Sequence, residues 1–137
     1  MWLMFAVGSA LFAGLTSILA KCGIRKTDST VATAIRTIVV LIFSWAMVFL
    51  VGSQNQLGSI GGKTLLFLVL SGLATGASWL CYYWALQDGP ASLVAPIDKL
   101  SILVTVLFSY VVFHEKLSRR FALGLLLLVG GTLVMLL

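Results

Sequence analysis

Five apolar runs fill almost the whole chain, each about 17–24 residues long. They cover approximately residues 2–20, 31–51, 63–86, 91–113 and 119–137. At 1.5 Å per residue, a helix of that length crosses the roughly 30 Å hydrocarbon layer of a bilayer. Only helices and closed barrels satisfy their backbone polar groups in lipid. Long uninterrupted apolar runs read as helices rather than barrel strands. The expected fold is therefore all-α, a single transmembrane domain of five helices over residues 1–137. Composition agrees: 61% of the 137 residues are hydrophobic and 9% are charged, where a soluble domain carries about 25% charged.

Several function classes lack support. The net charge is +5, but the bases lie in short segments between spans, so the expected partner is anionic membrane lipid and not nucleic acid. Cys22 and Cys81 fall at helix ends and have no spacing that suggests a disulfide or metal site. His114 lies at a helix end, as an interfacial residue. No phosphate loop, metal-ligand set or nucleophile–base spacing is visible, so neither an enzyme nor a cofactor is expected. No lysine or arginine precedes the first run, which argues against a signal peptide.

The runs differ in their small and aromatic residues. Ser9, Ala13 and Ser17 recur every four residues beside Gly14, and Gly72 and Gly76 form a GxxxG pair. Both patterns predict close helix contact. Asp28, Ser29 and Thr30 are candidate caps for the second helix, and Ser118 for the fifth. Residues 52–62 read as a solvated loop. Trp79, Tyr82, Tyr83 and Trp84 resemble an interfacial belt, and the four-residue spacing puts Trp79 and Tyr83 on one face. Pro90 suits the first position of the fourth helix. Pro96 lies inside it and removes a hydrogen bond to the Ser92 carbonyl.

Three charged residues fall within spans: Arg36, Asp98 and Lys99. An ion at the centre of a spanning helix costs roughly 2.5–3.5 kcal/mol on insertion scales. Arg36 and Asp98 each lie roughly 8–11 Å along their helices from the same side. A compensating Arg36–Asp98 pair is therefore available, and Lys99 points about 100° from Asp98. Such a cluster either ties two helices together or holds a substrate group. The candidate substrate-binding residues are Arg36, Trp79, Tyr83, Asp98 and Lys99. Arg36 and Asp98 shape the cavity, Lys99 meets an anionic or zwitterionic group, and Trp79 and Tyr83 line the apolar part.

The loop charges barely choose an orientation. Lys63, Lys116, Arg119 and Arg120 lie on one side, and Lys21, Arg25 and Lys26 on the other. Cytoplasmic loops normally carry a clear basic excess. This near balance predicts insertion both ways up and an antiparallel homodimer. The competing expectation is one orientation set by Arg119 and Arg120.

The stretch Gly89-Pro90-Ala91-Ser92-Leu93-Val94-Ala95-Pro96-Ile97-Asp98-Lys99-Leu100-Ser101 closely resembles the EamA domain of the drug/metabolite transporter superfamily. Phe12-Ala13-Gly14-Leu15-Thr16-Ser17-Ile18-Leu19-Ala20-Lys21 is similar to its first helix. Leu70-Ser71-Gly72-Leu73-Ala74-Thr75-Gly76-Ala77-Ser78-Trp79 and Tyr83-Trp84-Ala85-Leu86 are similar to its third. Phe113-His114-Glu115-Lys116-Leu117-Ser118 and residues 124–131 are similar to its end. The resemblance implies a multi-pass protein of a bacterial or archaeal plasma (inner) membrane. It implies alternating-access transport of small metabolites, amino acids or drugs. Most relatives carry two such domains, ten helices in inverted repeats, of which this chain is half; an antiparallel homodimer restores the pair. The small multidrug relatives use a glutamate in the first helix. Here that helix has no acid, and Asp98 is the deep carboxylate. Two other readings stand beside this one: a non-transporting membrane partner subunit, and a component of a lipid-linked sugar flippase.

Overall fold

A computed structural model describes residues 1–137. The chain is helical throughout and forms two compact units, Met1–Asp88 and Gly89–Leu137. The first contains α1 (Trp2–Gly23), α2 (Ser29–Val51), a 3-10 turn (Ser53–Ser59) and α3 (Gly62–Asp88). The second contains α4 (Ala91–Asp98), α5 (Ser101–Val112) and α6 (Arg119–Leu136). Five segments are long and apolar enough to cross a membrane, α4 and α5 together making the fourth. The protein is an all-α, multi-pass membrane protein.

Surface area fits that solvent. A soluble monomer of 14.7 kDa exposes about 6,900 Å²; this chain exposes 10975 Å². Its buried apolar side chains are Ile24, Tyr83 and Leu86. The spans turn their remaining apolar surface outward, where lipid or other helices must cover it.

Local chemistry sets the ends in the first unit. The Asp28 carboxylate accepts from the Thr30 and Val31 N–H groups at 2.9 and 3.3 Å, so Ser29 and Thr30 enter the first turn of α2. Gly52 ends α2 at φ 80°, a left-handed conformation that glycine adopts without a Cβ penalty. The expected loop that follows is largely a 3-10 turn, in which the Ser59 hydroxyl donates to the Gln56 carbonyl at 2.7 Å. Polar residues without apolar periodicity suit that short i to i+3 winding. α1 continues past Ala20 to Gly23, because a lysine in the last turn complements the negative helix end.

The glycine contacts differ from expectation. A Cβ at Gly14, Gly72 or Gly76 meets nothing within 4 Å. Residues 61–75 are all exposed, and α3 packs through its C-terminal part, so its glycine pair lies away from the packed end.

The second unit is organised by Pro96. Pro96 lies inside α4, and the fourth span breaks three residues later, at Lys99 and Leu100. There Leu100, Ile102 and Leu103 N–H groups donate to the Ile97, Lys99 and Leu100 carbonyls at 3.0, 3.1 and 2.9 Å. These i to i+3 bonds replace the i to i+4 bonds of a continuous helix. Pro90 sits at the N-cap in extended conformation, one place before the position expected, and its carbonyl accepts the first bonds of α4. α5 closes with His114 at φ 54°. The Ser118 hydroxyl accepts from the Phe121 N–H at 3.1 Å and caps α6, as its position in the sequence predicts.

Candidate functional site

Three helix ends converge in the first unit: the last turns of α1, the first of α2 and the last of α3. Ile24, Ser29, Thr33, Tyr83 and Leu86 are buried there. The Thr33 and Thr37 hydroxyls donate to the carbonyls four residues back, at 2.8 and 2.7 Å, which satisfies them without a partner helix. Polar bonds then join the helices. Ser17 of α1 and Tyr82 of α3 share a hydroxyl–hydroxyl bond of 2.6 Å. The Trp84 indole N–H donates to the Thr30 hydroxyl at 3.2 Å. The Lys21 ammonium donates to the Leu86 carbonyl, in the last turn of α3, where carbonyls lack intrahelical partners. A cation at that end also meets the negative pole of α3.

Arg36 stands at the centre of this arrangement. Its guanidinium carbon lies 4.8 Å from the Trp79 ring centroid and 5.3 Å from that of Tyr83. The two rings occupy successive turns of one face of α3. Each attracts the cation through its quadrupole, by about 0.5–2 kcal/mol depending on desolvation. The Tyr82 ring meets Tyr83 edge-on at 5.7 Å.

Beside the guanidinium is a pocket of about 420 Å³. Leu19, Ala20 and Gly23 of α1, Ile24 at its C-cap, and Ala32 and Ile35 of α2 form most of its wall. Thr16, Thr27, Tyr83 and Arg36 supply its polar atoms. Ligand pockets typically fall between about 300 and 1,000 Å³, mostly apolar with a few polar anchors.

The structure thus brings three of the five candidate residues together: Arg36, Trp79 and Tyr83. Asp98 and Lys99 lie in the second unit, at the break between α4 and α5. There the Lys99 ammonium is 3.9 Å from the Asp98 carboxylate, with 62% and 39% of the two side chains exposed. An uninterrupted helix would hold these neighbours about 100° apart; the tightened turn and the long lysine stem bring them together. Ser17 meets α3 as the Ser9, Ala13 and Ser17 spacing predicts, whereas the sequence reading missed Lys21 and Tyr82 as links and Leu19, Ala32 and Ile35 as pocket wall. The available signal was positional: Lys21 closes a run whose hydroxyl and small residues, Ala13, Ser17 and Ala20, recur at helical spacing.

Comparison with known proteins agrees with this architecture. A sequence model of the EamA-like transporter family matches residues 1–137. An uncharacterized transporter in the cobO 3' region of a Sinorhizobium species is 45% identical over 134 residues, covering 98% of this chain and 95% of its own. A probable 4-amino-4-deoxy-L-arabinose-phosphoundecaprenol flippase subunit ArnE of Erwinia tasmaniensis is 34% identical over 85 residues, 60% of this chain and 79% of its own. The protein of that description in Sodalis glossinidius is 32% identical over 69 residues, 50% of this chain and 62% of its own. No solved structure matches the chain.

Proposed function

The chain belongs to the EamA-like transporter family, and from that premise we propose that it carries a small metabolite, amino acid or drug across a bacterial or archaeal inner membrane. The mechanism is alternating access, by an antiparallel homodimer. The observation that carries this reading is the Arg36 guanidinium, held 4.8 Å from the Trp79 ring centroid beside a pocket of about 420 Å³ within membrane spans. Charges inside spans are expensive and mostly functional.

Two further features support it. The fourth span is broken at Lys99 and Leu100; irregular backbone at membrane depth is tolerated only inside protein or against a cavity. The four-to-three balance of basic loop residues supports opposed copies, because no orientation is strongly preferred. In this reading Asp98 and Lys99 are the second polar element of the pathway.

The test is flux. Purified protein in proteoliposomes, offered a mixed pool of labelled amino acids and metabolites, accumulates a subset. Arg36→Gln, Asp98→Asn and Lys99→Ala each lower that flux. Full flux in all three variants removes these residues from the mechanism. No flux from the wild-type protein removes the solute-transport reading.

A second reading is a component of a lipid-linked sugar flippase. The two relatives described as flippase subunits favour it. It predicts altered transfer of a lipid-linked sugar between leaflets, with soluble solutes unmoved.

A further inference from the structure

We propose that the pocket of the first unit is an anion site, taking a carboxylate, phosphate or sulfonate joined to an apolar body, with the oxoanion on the Arg36 guanidinium. The inference rests on the transport reading and names the substrate class of its site.

The charge balance of the pocket comes first. Its lining holds one cation, Arg36, and no carboxylate. The two carboxylates of this unit lie at helix ends: Asp28 is committed to capping α2, and Asp88 is the last residue of α3. A cationic ligand would meet uncompensated repulsion, and a neutral one would leave the guanidinium donors facing apolar wall. Arg36 is half-buried, and donors that a ligand covers without pairing them lose hydration at a cost.

Geometry comes second. The Trp79 and Tyr83 rings attract the guanidinium charge, at 4.8 and 5.3 Å, but they accept none of its in-plane N–H bonds. Guanidinium presents five donors in one plane, a fork that matches two oxygens of an oxoacid. The rings hold that fork in position before a ligand arrives, so less rotamer freedom is lost on binding. The wall formed by Leu19, Ala20, Ile24, Ala32 and Ile35 suits an alkyl or ring body. A free organic anion and the phosphate of an anionic lipid both have this chemistry.

The experiment titrates the full chain in nanodiscs of neutral phosphatidylcholine by calorimetry. The probes are hexyl phosphate, hexanol and hexyltrimethylammonium. Hexyl phosphate binds, and hexanol binds about ten-fold more weakly; the cation does not bind. Arg36→Lys keeps the charge but loses the fork, and weakens hexyl phosphate about ten-fold. Arg36→Gln weakens it about thirty-fold. Ala32→Leu leaves Arg36 intact and fills the pocket, and also weakens binding; circular dichroism confirms that each variant is helical. Equal binding of hexyl phosphate and hexanol overturns the proposal. So does wild-type affinity in Arg36→Lys and Arg36→Gln.

Discs containing phosphatidylglycerol separate the two sources. An Arg36-dependent loss of hexyl phosphate affinity in them assigns the site to lipid phosphate. Unchanged affinity assigns it to a soluble anion, and either result supports an anion site. The titration requires no flux. Anion binding without transport removes the transport reading alone, whereas transport without anion preference removes this inference alone.

Discussion

The Ser17 hydroxyl lies 2.6 Å from the Tyr82 hydroxyl and ties α1 to α3 through a half-buried bond. The apolar driving force for helix association vanishes in lipid, so such bonds carry more of the specificity there. Measured interhelical hydrogen bonds in membranes average about 0.6 kcal/mol and reach about 1.7. A double-mutant cycle on Ser17→Ala and Tyr82→Phe is expected to give coupling in that range. Unfolding in mixed detergent micelles measures it. Additive single effects would show that the two hydroxyls act independently.

The Lys21 ammonium on the Leu86 carbonyl predicts a charge effect at the end of α3. Lys21→Met keeps most of the stem and removes the donor. It is expected to lower stability by about 0.3–1 kcal/mol, up to about 2 if the site is well shielded. Lys21→Arg should retain most of that contribution. Thermal unfolding of the two variants in one detergent checks this, and equal losses would rule out the charge as the cause.

Arg36 and its rings predict a graded loss of transport. Trp79→Leu and Tyr83→Leu each remove one cation–π contact, worth about 0.5–2 kcal/mol. The KM for a transported solute is expected to rise about 2–30-fold in each, with the helices intact. Trp79→Phe should lie between wild type and Trp79→Leu, since phenylalanine keeps a weaker ring. If Trp79→Leu transports as wild type does, the ring does not position Arg36.

Much of the site was visible in the amino-acid order because helical spacing is rigid. Trp79 and Tyr83 are four residues apart and must share a face, and Arg36 is the ion of the second span. Asp28, Ser118 and the five spans were equally readable, since capping and hydrophobic length are local properties. The rest depends on where helices meet. Gly72 and Gly76 carry a contact motif, yet α3 packs through its other end. Pro96 announces a bend, but the break falls at Lys99 and Leu100, where 3-10 bonds absorb it. The Lys21 link needs a carbonyl 65 residues away, which no local pattern specifies.

His114 adopts φ 54° after α5, and the next N–H, that of Glu115, reaches back to the Ser109 carbonyl at 3.2 Å. A left-handed residue at a helix end is usually glycine, because a Cβ there is strained by about 1 kcal/mol. His114→Gly is expected to raise stability by about 0.5–1 kcal/mol, read as a higher unfolding temperature in detergent. A drop instead would mean that the imidazole makes a contact worth more than the strain.

Pro96→Ala tests whether the broken span serves transport. Alanine restores an N–H opposite the Ser92 carbonyl and removes the ring that crowds it. Residues 91–112 should then join as one helix, gaining about 1 kcal/mol or more, since proline inside a helix costs about 3. Hydrogen exchange at the Leu100, Ile102 and Leu103 amides reports the repair directly, because their bonds change from i to i+3 to i to i+4. The variant is expected to be more stable and to move solute about ten-fold more slowly, the usual direction when a flexible functional element is straightened. Slowed exchange together with undiminished flux would show that the break is a feature of the fold alone.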